Sequence, residues 1–150
     1  MNFQRRARFA CAECGQSNLS VHDTVEKTWR HLNFWQYKTY IHMRTPRTMC
    51  PKCGVRLLIP IWGIKQSGFT MLFEAFVLRL AKEMPISQIA DLTDETDTRI
   101  WRIIHRHVDA AYVNKMFETV TKIGVDETSS SKGHNYITVF ADMDSNEVLW

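Results

Sequence analysis

Four cysteines constrain this chain more than any other feature. They stand in two matched stretches, Cys11-Ala12-Glu13-Cys14-Gly15 and Cys50-Pro51-Lys52-Cys53-Gly54, which hold every cysteine of the sequence. Each is C-x-x-C followed by glycine, a spacing that lets a tight turn aim two thiolates at one ion. Four thiolates suit tetrahedral Zn²⁺. The 35 residues between Cys14 and Cys50 leave room for a zinc ribbon with a long hairpin. Two disulfides fit poorly, because the N-terminus does not read as a secretory signal. A redox C-x-x-C follows a strand in a βαβ unit and does not come as two matched pairs. Cys11, Cys14, Cys50 and Cys53 are therefore expected to hold a structural zinc. A site with four thiolates keeps no open position for substrate.

The 150 residues suffice for one ordinary domain or a few small modules. The longest apolar run, residues 57–64, is broken by Pro60 and Gly63 and is far shorter than a membrane span. A soluble cytoplasmic protein without membrane contact is expected. The net charge is +3, unevenly placed: residues 1–69 carry 11 Lys and Arg against 3 Asp and Glu, and residues 70–150 carry 8 against 13. A basic front half suits a polyanion, most simply nucleic acid, although a basic solvated surface gives the same skew.

Arg5, Arg6 and Arg8 make a basic lead-in. Over residues 27–49 the pattern is that of strands. Tyr37, Thr39, Ile41 and Met43 alternate with Lys38, Tyr40, His42 and Arg44, giving one apolar face and one basic, wet face. Lys27, Arg30, His31, Lys38, His42, Arg44 and Arg47 are thus expected on or near a hairpin held by the metal. Trp29, Trp35, Tyr37 and Tyr40 lie among them, and aromatics interleaved with basic residues suit nucleic-acid contact, but most are expected to cover a small core. Arg44 and Arg47 are taken as candidate DNA contacts.

The spacing then turns helical. Thr70 is a suitable N-cap, and Leu72, Phe73, Phe76, Val77, Leu80, Ala81 and Met84 form a stripe that Pro85 ends. A short helix over Ser87–Leu92, a turn at Thr93-Asp94-Glu95 and a third helix from Thr96 or Asp97 follow. Ile100, Ile103, Ile104, His107, Val108 and Ala111 line one face of that third helix; Arg99, Arg102 and Arg106 line another. Three helices with a short second member describe a helix-turn-helix, whose third helix reads a DNA groove. Arg99 and Arg102 are placed to reach base edges, Arg106 the backbone, and Thr98 either. The structural alternative is a plain helical module with a solvated arginine face.

The last segment is β. Lys122–Ser130 reads as a short strand ending in acidic and hydroxyl residues, Asn135–Ala141 as a second strand, Asp142–Asn146 as a turn and Glu147–Trp150 as the start of a third. A sheet begun but not closed leaves an open edge, so the chain reads as truncated.

In this order, the paired C-x-x-C ribbon, the helix-turn-helix and the block Val125-Asp126-Glu127-Thr128-Ser129 through Lys132-Gly133-His134 resemble bacterial insertion-sequence transposases of the ISL-three family. So do Trp29-Arg30-His31-Leu32, Tyr37 to His42, Arg44-Thr45-Pro46-Arg47 and Cys50-Pro51. The resemblance implies an α+β chain with a zinc ribbon (1–66), a helix-turn-helix DNA-binding domain (67–118) and the first strands of an incomplete RNase-H-like α/β core (119–150). It implies that Asp126 is the first carboxylate of a DDE set, at the end of the first core strand, and a catalytic ligand of Mg²⁺, two such ions acting together in the complete site. Glu127 points the other way along a strand. Asp142 and Asp144 read as turn formers, and Lys132 and His134 as phosphate contacts at most. The second Asp and the Glu fall beyond Trp150, so this chain is expected not to cut or join DNA by itself. The partner implied is double-stranded DNA at the element's terminal inverted repeats, with self-association, and the location is the cytoplasm, on the nucleoid when DNA is bound. Two other functions fit the residues: a stand-alone zinc-dependent DNA binder that represses or inhibits the full transposase, and a zinc-ribbon module for protein contacts.

Overall fold

The computed structural model describes residues 6–113, 117, 119–131 and 135–149. Its elements run β1 (Arg8–Phe9), β2 (Leu19–Phe34), β3 (Tyr37–Cys50), β4 (Gly54–Leu57), α1 (Met71–Leu80), α2 (Ile86–Thr93), α3 (Asp97–Val113), β5 (Ile123–Ser131), β6 (Asn135–Asp142) and β7 (Glu147–Val148). The chain divides into two compact units, one ending at His105 and one starting at Arg106. The ribbon, α1, α2 and the first half of α3 lie in the first unit, and α3 runs on past the division. Among the described residues, no helix is long and apolar enough to cross a membrane.

In the first unit, β1–β4 form one antiparallel sheet in sequence order. The β2–β3 hairpin is longer than the alternation suggested, because pairing continues to Val21↔Thr48 beyond the apolar stretch. Thr39, Ile41 and Met43 are half-buried, while Lys38, Tyr40, His42 and Arg44 are exposed, as period two requires. Tyr37 leaves the apolar face at the hairpin end and is exposed. Past Arg44 the alternation stops: Thr45, Pro46 and Thr48 are all buried.

The helices form where the caps say they should. The Thr70 hydroxyl accepts the Phe73 N–H at 3.3 Å and opens α1. Ala81 caps α1, and Ala81 to Met84 make a turn rather than the last helical residues expected. Pro85, with φ fixed near −63°, precedes α2. Asp94 takes the left-handed conformation (φ 53°, ψ 49°) that ends α2. A short polar side chain tolerates that region, so the turn works without glycine. Thr96 then accepts the Arg99 N–H at 3.4 Å and opens α3.

Phe69, Phe73, Val77, Ile89, Ala90, Ile100 and Ile103 make one buried cluster, with Leu32 of β2 packed against it. Each large side chain buried there contributes roughly 1.5–3 kcal/mol. Leu72 and Phe76, which the periodicity put in the stripe, stay exposed, as does Val108 of α3. Main-chain bonds add to this core: Arg30 N–H donates to Gly68 O at 2.8 Å, and Thr70 N–H to Arg30 O at 3.0 Å.

The second unit holds the antiparallel sheet β5-β6-β7. The meander read from the sequence is present. Strand β5 runs Ile123–Ser131, close to the Lys122–Ser130 read from the sequence, but Asp126 lies inside it, opposite Val139, and not at its end as the resemblance implied. Asp142 is a turn former, its carboxylate accepting from Asp144 N–H at 3.0 Å and from the Ser145 hydroxyl at 2.7 Å. Three antiparallel strands do not by themselves define an RNase-H-like core. Lys132 and His134 lie outside the described residues.

Candidate metal centre and nucleic-acid interface

The two C-x-x-C-G stretches fold as matched turns. Gly15 and Gly54 both adopt positive φ, 73° and 74°, which glycine takes without steric cost. Cys11 N–H donates to Gln16 O at 2.8 Å and Gly15 N–H to Cys11 O at 3.0 Å. Across the sheet, Cys50 pairs with Gly54. These turns bring Cys11, Cys14, Cys50 and Cys53 together, with all four Sγ within 4.8 Å of one another and Cys14 to Cys50 at 3.6 Å. Thiolates around a tetrahedral zinc at about 2.3 Å lie roughly 3.8 Å apart, so the cluster fits that ion. Cys11 and Cys50 are buried.

The thiols do not titrate alike. Backbone N–H groups of Cys14 and Glu13 bring Cys11 down to about 7. Cys53 is pushed up to about 12, first by its hydrogen bond with Cys14 and then by burial. Four thiols this close cannot all ionise unaided; a cation among them supplies the missing charge.

On the helices, Thr98 and Arg102 of α3 are exposed, and Arg106 is half-buried. Arg99 is engaged: its guanidinium bonds Glu95 and lies over the Phe69 ring at 4.4 Å. On the hairpin, Arg44 is exposed opposite Glu26. Arg47 has an internal partner. Its Nε donates to Asp23 Oδ1 at 2.6 Å, with a second contact to the other oxygen, and this holds the Asp23 carboxyl below its ordinary range.

The largest departure from the sequence reading is Arg30. Expected on or near the wet hairpin, it is 1% exposed. Its Nε faces Glu95 Oε1 at 3.3 Å, and its other nitrogens bond His31 O, Asn33 Oδ1 and Thr93 O. Its guanidinium lies 5.2 Å from the Phe73 ring centroid and 5.5 Å from that of Tyr40. Arg30 thus joins the ribbon to the turn between α2 and α3. Nearby, His31 Nδ1 meets the Thr70 hydroxyl at 2.8 Å. No sequence spacing announced these long-range pairs.

Asp126 is exposed. Among the described residues, the cysteines are the group gathered tightly enough to hold a metal; no set of carboxylates gathers at Asp126.

Comparison with known proteins agrees with this geometry. A family model described as the zinc-finger of transposase IS204/IS1001/IS1096/IS1165 matches residues 7–53. Another, the helix-turn-helix domain of transposase family ISL3, matches residues 60–108. Together they take in more than half of the chain. The chain thus carries segments similar to both the zinc-finger and the helix-turn-helix domain of ISL3-type transposases. Similar curated proteins include the transposase for insertion sequence element IS1557 of Mycobacterium tuberculosis, 26% identical over 149 residues, covering 93% of this chain and 32% of that protein. The transposase for insertion sequence element IS1001 of Bordetella parapertussis is 23% identical over 141 residues, covering 93% and 35%. This chain spans about a third of the length of these relatives. No solved structure matches it.

Proposed function

We propose that this chain is the DNA-recognition part of a transposase, a bacterial cytoplasmic protein that binds the terminal inverted repeats of its element and joins the nucleoid when bound. The observation that carries the reading is the union, in one compact unit, of a four-cysteine cluster and a helix-turn-helix whose third helix exposes Thr98 and Arg102. Cys11, Cys14, Cys50 and Cys53 hold zinc, which fixes the base of the hairpin and takes no part in chemistry. Arg102 reads a base edge, and Thr98, Arg106 and Arg44 meet base or backbone. Arg99 and Arg47 serve more as supports than as free contacts, given their internal partners. The relatives' names as transposases support assigning Asp126 as the first carboxylate of a DDE set in an RNase-H-like core. No described residue joins Asp126 in a magnesium site, so no catalytic step is assigned to this chain. Pairing of the element's two ends requires self-association of the bound protein.

The test combines zinc content with binding to duplex DNA across a salt series. The reading requires one zinc per chain and an affinity that falls steeply with salt. Arg102→Ala should cost about 1–3 kcal/mol and relax preference at one base position. A chain that takes up no zinc, or whose DNA affinity ignores both salt and Arg102, overturns it.

A further inference from the structure

The β2–β3 hairpin ends in three uncovered aromatic rings. Phe34 is 68% exposed, Trp35 81% and Tyr37 65%. Phe34 and Tyr37 are the last pair of the ladder, so Trp35-Gln36 is the connecting turn. The rings of Phe34 and Trp35 are parallel within 5°, with centroids 5.7 Å apart. Trp35 has φ 54°, which is unusual for a bulky residue. Glycine or asparagine normally takes such a turn position. A tryptophan kept there, exposed and in a strained conformation, points to a use outside the fold.

The tip also has a defined neighbour. Lys38, three residues past Trp35, meets Asp94 at 2.5 Å, and Arg30 meets Glu95. Asp94 and Glu95 form the turn that leads into α3. Three extended residues reach about 10 Å, so the aromatic tip projects beside the N-terminal end of that helix. On the same strand, Lys38, His42 and Arg44 are exposed, and residues 1–69 carry 11 Lys and Arg against 3 Asp and Glu.

We propose that Phe34 and Trp35 form a wedge that enters a base step of duplex DNA next to the groove occupied by α3. The inference rests on the DNA-binding reading above and adds a second contact to it. Apolar side chains inserted between base steps unstack and kink the duplex, most easily at flexible pyrimidine–purine steps. Lys38 beside the tip, although paired with Asp94, and Arg44 farther along β3 add positive charge on the strand that leads from the tip, which suits the phosphates of a duplex and favours nucleic acid over a protein partner.

The test uses the full chain with zinc and a short duplex in which 2-aminopurine replaces the adenine of a central TA step. Wild type should bind and brighten the probe as the step unstacks. Trp35→Gly should bind about tenfold more weakly, as loss of a stacking contact does. Its salt dependence should be unchanged, and it should leave the probe dark. Glycine suits the positive φ, so this variant should unfold at the same or a higher urea concentration, which separates lost binding from lost folding. Trp35→Phe should retain most of both signals. Equal affinity and equal brightening by Trp35→Gly overturn the wedge while leaving DNA binding by α3 intact. Failure of wild type to bind any duplex overturns the DNA reading, and the wedge with it. A wild-type dimer that becomes monomeric in Trp35→Gly, with DNA affinity unchanged, makes the tip a protein contact and also overturns the proposal.

Discussion

Replacing Arg30 by methionine should be the most damaging single change in the ribbon outside the cysteines. The Arg30 side chain is fully buried, and that of Glu95 is 4% exposed. At 3.3 Å and an effective dielectric of about 20, their attraction is about 5 kcal/mol before desolvation is counted. Removing one member of a buried pair costs roughly 3–5 kcal/mol, because the other charge stays buried. Glu95 keeps Arg99 as a partner, so the lower end applies, about 3 kcal/mol. That is a large share of the roughly 5–15 kcal/mol that holds a domain. The double variant Arg30→Met/Glu95→Leu removes both charges and should cost less than Arg30→Met alone. Urea titration of the zinc-loaded chain provides the assay. In a background with Trp62, Trp101 and Trp150 replaced by phenylalanine, tryptophan emission follows the hairpin, where Trp29 is buried, and far-UV circular dichroism follows the helices. In wild type the two transitions of the first unit should coincide; in Arg30→Met the helices should melt earlier. A loss below about 1 kcal/mol, the worth of a surface pair, would refute the reasoning. So would a double variant at least as unstable as the single.

Other consequences can be measured on the same material. Cys50→Ser, or a strong chelator, should abolish zinc uptake and loosen the hairpin, seen as a red shift of tryptophan emission, because metal binding and folding of such modules are coupled. Thr70→Ala should cost about 1 kcal/mol or more through loss of the α1 cap, and its hydroxyl also meets His31; a change of a few tenths would deny the cap its role. Arg47 holds the Asp23 carboxyl below its ordinary value. That contribution is present above the unfolded value, about 3.9, and is lost as pH falls through the lower folded one. Asp23→Asn should therefore lower the urea midpoint at neutral pH, with the gap to wild type closing in acid.

The metal cluster was legible because C-x-x-C-G is a local code: two spaced thiols and a glycine at the positive-φ position (Gly15, Gly54). The helices were legible through periodicity, the Thr70 cap and Pro85. The turn at Asp94 was found without glycine because aspartate also tolerates the left-handed region. Arg30 was not legible. Alternation along a strand says which side a residue faces, but not that a helical layer will close over that side. Arg30 belongs to a stretch where Gly68, Phe69 and Thr70 come alongside β2, with Arg30 bridged to Phe69. The extent of β5 was legible: the stretch read as Lys122–Ser130 pairs with β6 over Ile123–Ser131. The place of Asp126 inside that strand was not, because pairing is not written in the hydropathy of one strand.

The bonds between Arg30 and residues 68 and 70 join peptide groups, so they do not depend on which side chains are present. Met71 N–H adds a third by donating to Trp62 O at 2.8 Å. These main-chain bonds therefore tolerate changes in the side chains around them, provided the buried Arg30–Glu95 pair is kept, the hairpin still pairs and no proline removes a donor. The angle at which the metal module presents its neighbouring helices is thus a heritable trait of the backbone. A lineage can rewrite the residues that touch its target while keeping the frame that aims them.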